Sequence, residues 1–289
     1  MQLIRSALYV PGNSQKMLDK ARGTAADALL IDLEDAVASA GKAEARVLVK
    51  SRLDVPWPAD KAIFVRINPL SSGIWEDDLA AILPCHPAGF VIPKVESGDQ
   101  VRSVDTRIDE LARDVGADNS DVALMVMVES AMGVLKALEI ATASPRLCGL
   151  VFGSEDLSLD VGLRKTPEGL ELLHARSQIV LAAAAGGIQA LDSVWTDIAN
   201  LDGLRQECIR GRTLGFTGKT LIHPSHVPVA NEAFSPSQDE IDRARRLVTA
   251  FAAPEARGVG AISFEGQMVD RPHLERARRL LENNSGGTI

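Results

Sequence analysis

What most constrains this chain is an alternation. Eight short runs of aliphatic and β-branched residues recur along it: Ser6–Val10, Ala28–Leu33, Ala62–Ile67, Gly89–Val95, Ala123–Val128, Gly149–Gly153, Ile188–Val194 and Thr220–His223. They are too continuously apolar for half-exposed strands and read as strands buried on both faces. Stretches with helical period separate or follow them, at 14–23, 41–53, 75–83, 99–115, 131–141, 166–186, 201–214 and 237–252. Asp202 is placed to cap the seventh helix and Gly215 to close it. Eight strand-then-helix units predict an α/β fold, a (β/α)₈ TIM barrel, over residues 1–257 of the 289. A doubly wound open sheet is the competing fold. It usually carries fewer strands at this length and often a glycine phosphate loop at its first turn, whereas the first turn here is Val10-Pro-Gly-Asn-Ser14. Residues 258–289 exceed what a barrel needs and are expected to form a lid, an oligomerisation arm, or both.

Composition removes several function classes. Lys and Arg number 31 against 39 Asp and Glu, a net charge of −8 with the signs interspersed, which argues against nucleic acid and anionic membranes as partners. Seven Phe, three Trp and one Tyr leave little for base stacking. The longest apolar run, Ile179 to Ile188, is half of a membrane span and holds two glycines. The opening Met1-Gln-Leu-Ile-Arg-Ser6 has no secretory pattern, and the three cysteines, Cys85, Cys148 and Cys208, have no metal or disulfide spacing. A soluble, cytoplasmic enzyme with reduced thiols is expected.

In a barrel, reactive groups sit at the carboxyl ends of the strands. Ionisable residues gather at those positions: Glu34 and Asp35 after the second run, Arg66 in the third, Lys94 in the fourth, Glu129 after the fifth, Asp156 after the sixth and His223 at the eighth. Strands about 4.8 Å apart would let Glu129 and Asp156 share one cation. With oxygen donors alone the ion is hard, Mg²⁺ first and Mn²⁺ as the alternative. Capping of the next helix, or pairing with a lysine, is the competing role for each acid. Arg66 offers a two-pronged donor to a carboxylate or enolate oxygen, or pairs with Glu34 or Asp35. Glu34 and Asp35 are expected behind the ion, orienting water and Arg66. Lys94 neutralises substrate charge or pairs with Glu96; a Schiff-base role for it fits less well beside paired acids. Asp192 and His223 read more readily as structural. Asp270 is explained locally as the cap of a last helix, Pro272–Leu281; the alternative is a general acid/base delivered by a mobile tail. No nucleophile motif is present.

With those residues in hand, the chain resembles the citrate lyase β-subunit-like family of the HpcH/HpaI aldolase group, which includes malyl- and citramalyl-CoA lyases. The matching segments are Arg5-Ser-Ala-Leu-Tyr-Val-Pro-Gly-Asn13, Leu30-Ile-Asp-Leu-Glu-Asp-Ala-Val37, Val65-Arg-Ile-Asn-Pro69, Ile92-Pro-Lys-Val-Glu96 and Val128-Glu-Ser130. Phe152-Gly-Ser-Glu-Asp-Leu-Ser-Leu-Asp160, the stretch from Leu214 to Ser225, and Met268-Val-Asp-Arg-Pro272 complete the series in order. The resemblance implies a Mg²⁺-dependent lyase that cleaves or forms malyl-, citramalyl- or citryl-CoA as a homotrimer or hexamer. It further implies Glu129 and Asp156 as metal ligands and Arg66 as the substrate arginine. Gly218, Ile222, His223 and Pro224 then lie along the coenzyme A arm, and Asp270 is a lid acid supplied by a neighbouring subunit. A basic residue is common directly after Gly12-Asn13; here Ser14-Gln15 intervene, leaving Lys16 as the phosphate candidate. Two other activities share these residues: a malyl-CoA thioesterase, and a subunit that works only with an acyl-carrier partner. An aldolase for a free 2-oxo acid is a weaker third.

Overall fold

A computed structural model of the chain describes residues 3–115, 119–166, 168–256, 258 and 260–284. It divides into two compact units, Ile4–Phe234 and a second that joins Leu3 to the residues from Ser235 onward. The division falls after Phe234, not after residue 257 as the helix count suggested.

The first unit is the expected barrel. Its strands are β1 (Ser6–Pro11), β2 (Ala28–Asp32), β3 (Ala62–Arg66), β4 (Gly89–Ile92), β5 (Ala123–Val128), β6 (Leu147–Phe152), β7 (Gln189–Asp192) and β8 (Gly218–Leu221), closed in sequence order with β8 back on β1. Its helices are α1 (Gln15–Ala21), α2 (Lys42–Leu53), α3 (Trp75–Ile82), α4 (Gly98–Val115), α5 (Ala131–Leu135), α6 (Ala137–Ala141), α7 (Ser154–Val161), α8 (Leu173–Gly186), α9 (Leu201–Leu214) and α10 (His226–Phe234). Three features depart from the sequence expectation. The single helix expected at 131–141 breaks at Lys136 into α5 and α6. The helix expected from 166 starts only at Leu173. Asn200, not Asp202, caps α9, its side chain accepting from Gly203 N at 2.9 Å.

Strand pleating sorts side chains into two cores. Leu8, Leu29, Ile31, Val65, Phe90, Val126 and Leu150 face the helices, whereas Ala7, Leu30, Phe64, Val91, Met125, Val151 and Leu191 fill the barrel interior. The interior set leads to the barrel mouth, because a period of two continues it upward. Tyr9 lies two residues beyond Ala7, Asp32 beyond Leu30, Arg66 beyond Phe64, and Glu129 beyond Met127. Register places Asp32 directly beside Arg66.

The helix at 237–252, expected to be the barrel's eighth, belongs to the second unit as α11 (Gln238–Ala256); α10 follows β8 instead. Beside α11 the second unit contains an antiparallel hairpin, β9 (Ala261–Phe264) with β10 (Gln267–Asp270), and α12 (Arg271–Asn284). Leu247, Phe251, Phe264, Val269 and Leu274 give it its own apolar core. Among the described residues no helix is long and apolar enough to cross a membrane.

Candidate active site at the barrel mouth

Arg66 anchors the mouth. Its Nε and Nη2 donate to the two oxygens of Asp32 at 2.8 and 2.6 Å, and Nη1 lies 2.8 Å from Glu34 Oε2. Its guanidinium stacks over the Tyr9 ring, 4.8 Å from the centroid. Such a fork is pre-aimed: two carboxylates fix its plane, so little rotamer entropy remains to be lost when it meets a ligand. Glu34 is buried; burial chiefly, and then Asp35, raise its pKa against the pull of Arg66. Its second oxygen faces Lys94 Nζ at 3.0 Å. Lys94 Nζ also lies 3.9 Å from Asp156 Oδ1, so the pairing with Glu96 weighed from sequence gives way to acids across the mouth.

Glu129 follows β5 and is 2 % exposed. Its Oε1 accepts the backbone N–H of Lys94 at 2.7 Å. Lys94 has φ of 54°, a left-handed conformation that costs a lysine energy. Gly153 is required for a steric reason: a Cβ there would sit 2.4 Å from Glu129 Cβ and 2.5 Å from Oε2. Burial pushes the Glu129 carboxyl up to about 8, opposed by the Lys94 N–H and reinforced by Glu34 and Asp156. Asp156 stands in the first turn of α7, not on the strand, and is more exposed. β5 and β6 are hydrogen-bonded neighbours, and Glu129 and Asp156 line one cavity of about 440 Å³ together with Arg66, Asp35, Tyr9 and Ser154.

The donor set suits a hard divalent ion. The carboxylates of Asp32, Glu34, Asp35, Glu129 and Asp156 outnumber the cations of Arg66 and Lys94, which leaves negative charge uncompensated around a buried acid. Among the described residues no group of three or more His, Cys, Asp or Glu has metal-holding geometry. An ion here would therefore take Glu129 and Asp156 from the protein and its other oxygens from water and substrate, a common arrangement for Mg²⁺.

A second cavity, of about 430 Å³, shares Tyr9, Pro11 and Ile222 with the first. It brings together Lys16, Ile222, His223 and Pro224. His223 Nδ1 is engaged by Ser225 Oγ at 2.7 Å. Gly218 stands apart from both cavities. It opens β8 at the far end, where a Cβ would lie 2.2 Å from the Ile4 carbonyl oxygen, so its smallness serves strand packing. Asp192, read as structural from sequence, is 1 % exposed and bridges Arg176 (2.7 Å) and Lys219 (3.1 Å). In the second unit Asp270 pairs with His273 Nδ1 at 2.6 Å, and that contact foremost lowers its pKa.

Sequence reasoning assigned no role to Asp32, Tyr9, Met127, Ser154 or Ser193, which line the first cavity. Ser154 and Ser193 join hydroxyls at 2.7 Å on the wall of the first cavity. The alternation Leu30–Asp32 could have revealed Asp32, since it carries an acid to the interior face of a strand buried throughout.

Fold and site define an eight-stranded α/β barrel with an acid-rich mouth whose cavity shares lining residues with a second. The chain belongs to the HpcH/HpaI aldolase/citrate lyase family, whose model matches residues 5–224. It is 36 % identical to citrate lyase subunit beta of Haemophilus influenzae over 287 residues, covering 99 % of both chains. It is 40 % identical over 277 residues to a (3S)-malyl-CoA thioesterase of Cereibacter sphaeroides, covering 96 % of this chain and 93 % of that one. Among solved structures, the CitE protein of Mycobacterium tuberculosis in complex with magnesium, acetoacetate and coenzyme A superposes with a TM-score of 0.78 at 34 % identity, covering 97 % of each chain.

Proposed function

We propose that the chain is a Mg²⁺-dependent carbon–carbon lyase that cleaves, or in reverse forms, a malyl-, citramalyl- or citryl-type coenzyme A thioester, giving a 2-oxo acid and an acetyl thioester. The observation that carries this reading is the meeting of Glu129, Asp156 and Arg66 in one cavity that shares its wall with a second, lined by Lys16 and His223. The magnesium and coenzyme A bound by the M. tuberculosis relative support it.

Glu129 and Asp156 would hold the ion, and Lys94 fixes Glu129 through its N–H while its ammonium offsets charge beside Glu34 and Asp35. An ion held there, Mg²⁺ or Mn²⁺, would supply Lewis-acid polarisation to the substrate's oxygens. As the bond breaks, the hydroxyl gives its proton to solvent water, its carbon becomes a keto carbon, and the electron pair of the broken bond passes into a thioester enolate. Arg66, fixed by Asp32 and Glu34, stabilises the charge developing there. Asp270 of a neighbouring subunit then delivers a proton to the enolate carbon, and removes one from it in the condensation direction. Lys16, Ile222, His223 and Pro224 contact the coenzyme A arm. A homotrimer or hexamer in the cytoplasm completes the proposal.

A thioesterase is the second reading, supported by the 40 % identity to the malyl-CoA thioesterase. One experiment separates the two. The chain is incubated with malyl-, citramalyl- and citryl-CoA plus Mg²⁺, and products are identified by mass. A 2-oxo acid with acetyl-CoA supports the lyase; free hydroxyacid with coenzyme A supports the thioesterase. Activity only with an acyl-carrier partner marks a dependent subunit. Glu129→Ala and Asp156→Ala should each abolish Mg²⁺-dependent turnover with the fold intact, and unchanged activity in either overturns the metal assignment.

A further inference from the structure

Tyr9 is the chain's sole tyrosine, on β1, and it lines both cavities. It therefore stands where an acyl group meets the arm that carries it. Its hydroxyl donates to Met127 Sδ at 3.5 Å, and Arg66 Nη1 points to the same sulfur at 3.7 Å. Two donors from different strands thus converge on one thioether, which is a weak acceptor. An acyl oxygen is a far stronger one, and donors aimed in advance at a point of developing charge need no reorganisation when charge appears. Burial, helped by the Glu129, Asp32 and Glu34 carboxylates, raises the phenol's pKa against Arg66, so Tyr9 keeps its proton and remains a donor.

We propose that Tyr9 is a further substrate-contacting residue: its hydroxyl, paired with Arg66 Nη1, donates a hydrogen bond to the thioester carbonyl oxygen and to the enolate oxygen formed from it. The proton stays on Tyr9 throughout, and no bond to the protein forms. This rests on the lyase or thioesterase reading above, and it adds a neutral donor to the cationic one.

The test uses the full chain. Tyr9→Phe keeps the ring beneath Arg66 and removes the hydroxyl alone. It is expected to lower kcat for the thioester substrate about 10- to 100-fold with KM within about threefold, since loss of one such donor typically costs at least that much. Growth on 3-fluorotyrosine labels Tyr9 alone. Its fluorine resonance should shift further when acetyl-CoA binds in the presence of Mg²⁺ than with coenzyme A or a 2-oxo acid. Wild-type turnover matched by Tyr9→Phe overturns this inference alone, as does a resonance that moves with coenzyme A or the oxo acid as much as with acetyl-CoA. A wild-type chain inert towards every thioester overturns the functional reading and this inference with it.

Discussion

Gly153→Ala tests the steric basis of the site without touching a charge. The glycine has φ of −105° and ψ of 86°, a conformation open to alanine, so any effect arises from the added methyl and not from backbone strain. That methyl would stand 2.4 Å from Glu129 Cβ and 2.5 Å from Oε2, where contacts of about 3.5–4.0 Å are normal. Glu129 must retreat by about 1 Å or more, which breaks its 2.7 Å bond to the Lys94 N–H. Sites of this kind tolerate about 0.5 Å of displacement, and about 1 Å costs on the order of 100-fold in rate. Overpacking adds about 1–3 kcal/mol of destabilisation. The expected result is a loss of Mg²⁺ affinity of tenfold or more by calorimetric titration, and turnover down about 100-fold. Urea denaturation should show a folded chain weakened by no more than that overpacking cost. Wild-type Mg²⁺ affinity and turnover in Gly153→Ala would refute the idea that Glu129's exact placement serves the ion.

Three further outcomes follow from the same geometry. With Glu129 raised from 4.5 to about 8, the metal-free native chain holds a proton that the unfolded chain has lost between those values, so stability should fall as pH rises from 4.5 to 8 and level off above. The full span is worth on the order of 5 kcal/mol for a group this buried, and in EDTA Glu129→Gln should flatten the decline between pH 5 and 8 seen by urea denaturation; an unchanged slope sinks the assignment. Arg66→Lys loses the paired bonds to Asp32 and the stack on Tyr9, and should cut kcat/KM about 100-fold; a change under threefold would mean the fork geometry is dispensable. Lys16→Ala should raise KM for a coenzyme A thioester about three- to tenfold at low salt and less at high salt, while leaving KM for the acyl-pantetheine analogue, which lacks the nucleotide phosphates, unaltered; equal effects on both substrates would exclude a phosphate contact.

Much of the barrel was legible because its strands are buried on both faces and so stand out as apolar runs: β5, Ala-Leu-Met-Val-Met-Val, is buried at every position. Short helices were not equally legible. α7 follows β6 after a single residue, so no loop sets it off from its strand, as a longer connection does the equally short α3. α11 has a strong period, which the count assigned to the barrel, although its apolar face packs on α12 and the hairpin.

By itself the sequence determined the order of strands, the gathering of acids and one arginine at their carboxyl ends, and the family motifs, because these depend on local pattern and spacing. Only the tertiary structure decided which of those groups meet. Asp32 grips Arg66 through strand register, Lys94 turns its N–H to Glu129 through a left-handed residue, Gly153 leaves the space Glu129 needs, and Gly218 falls at the opposite end of its strand. Contact between distant residues arises from closure of the barrel, and spacing along one chain carries no record of the face each side chain takes or the neighbour it meets there.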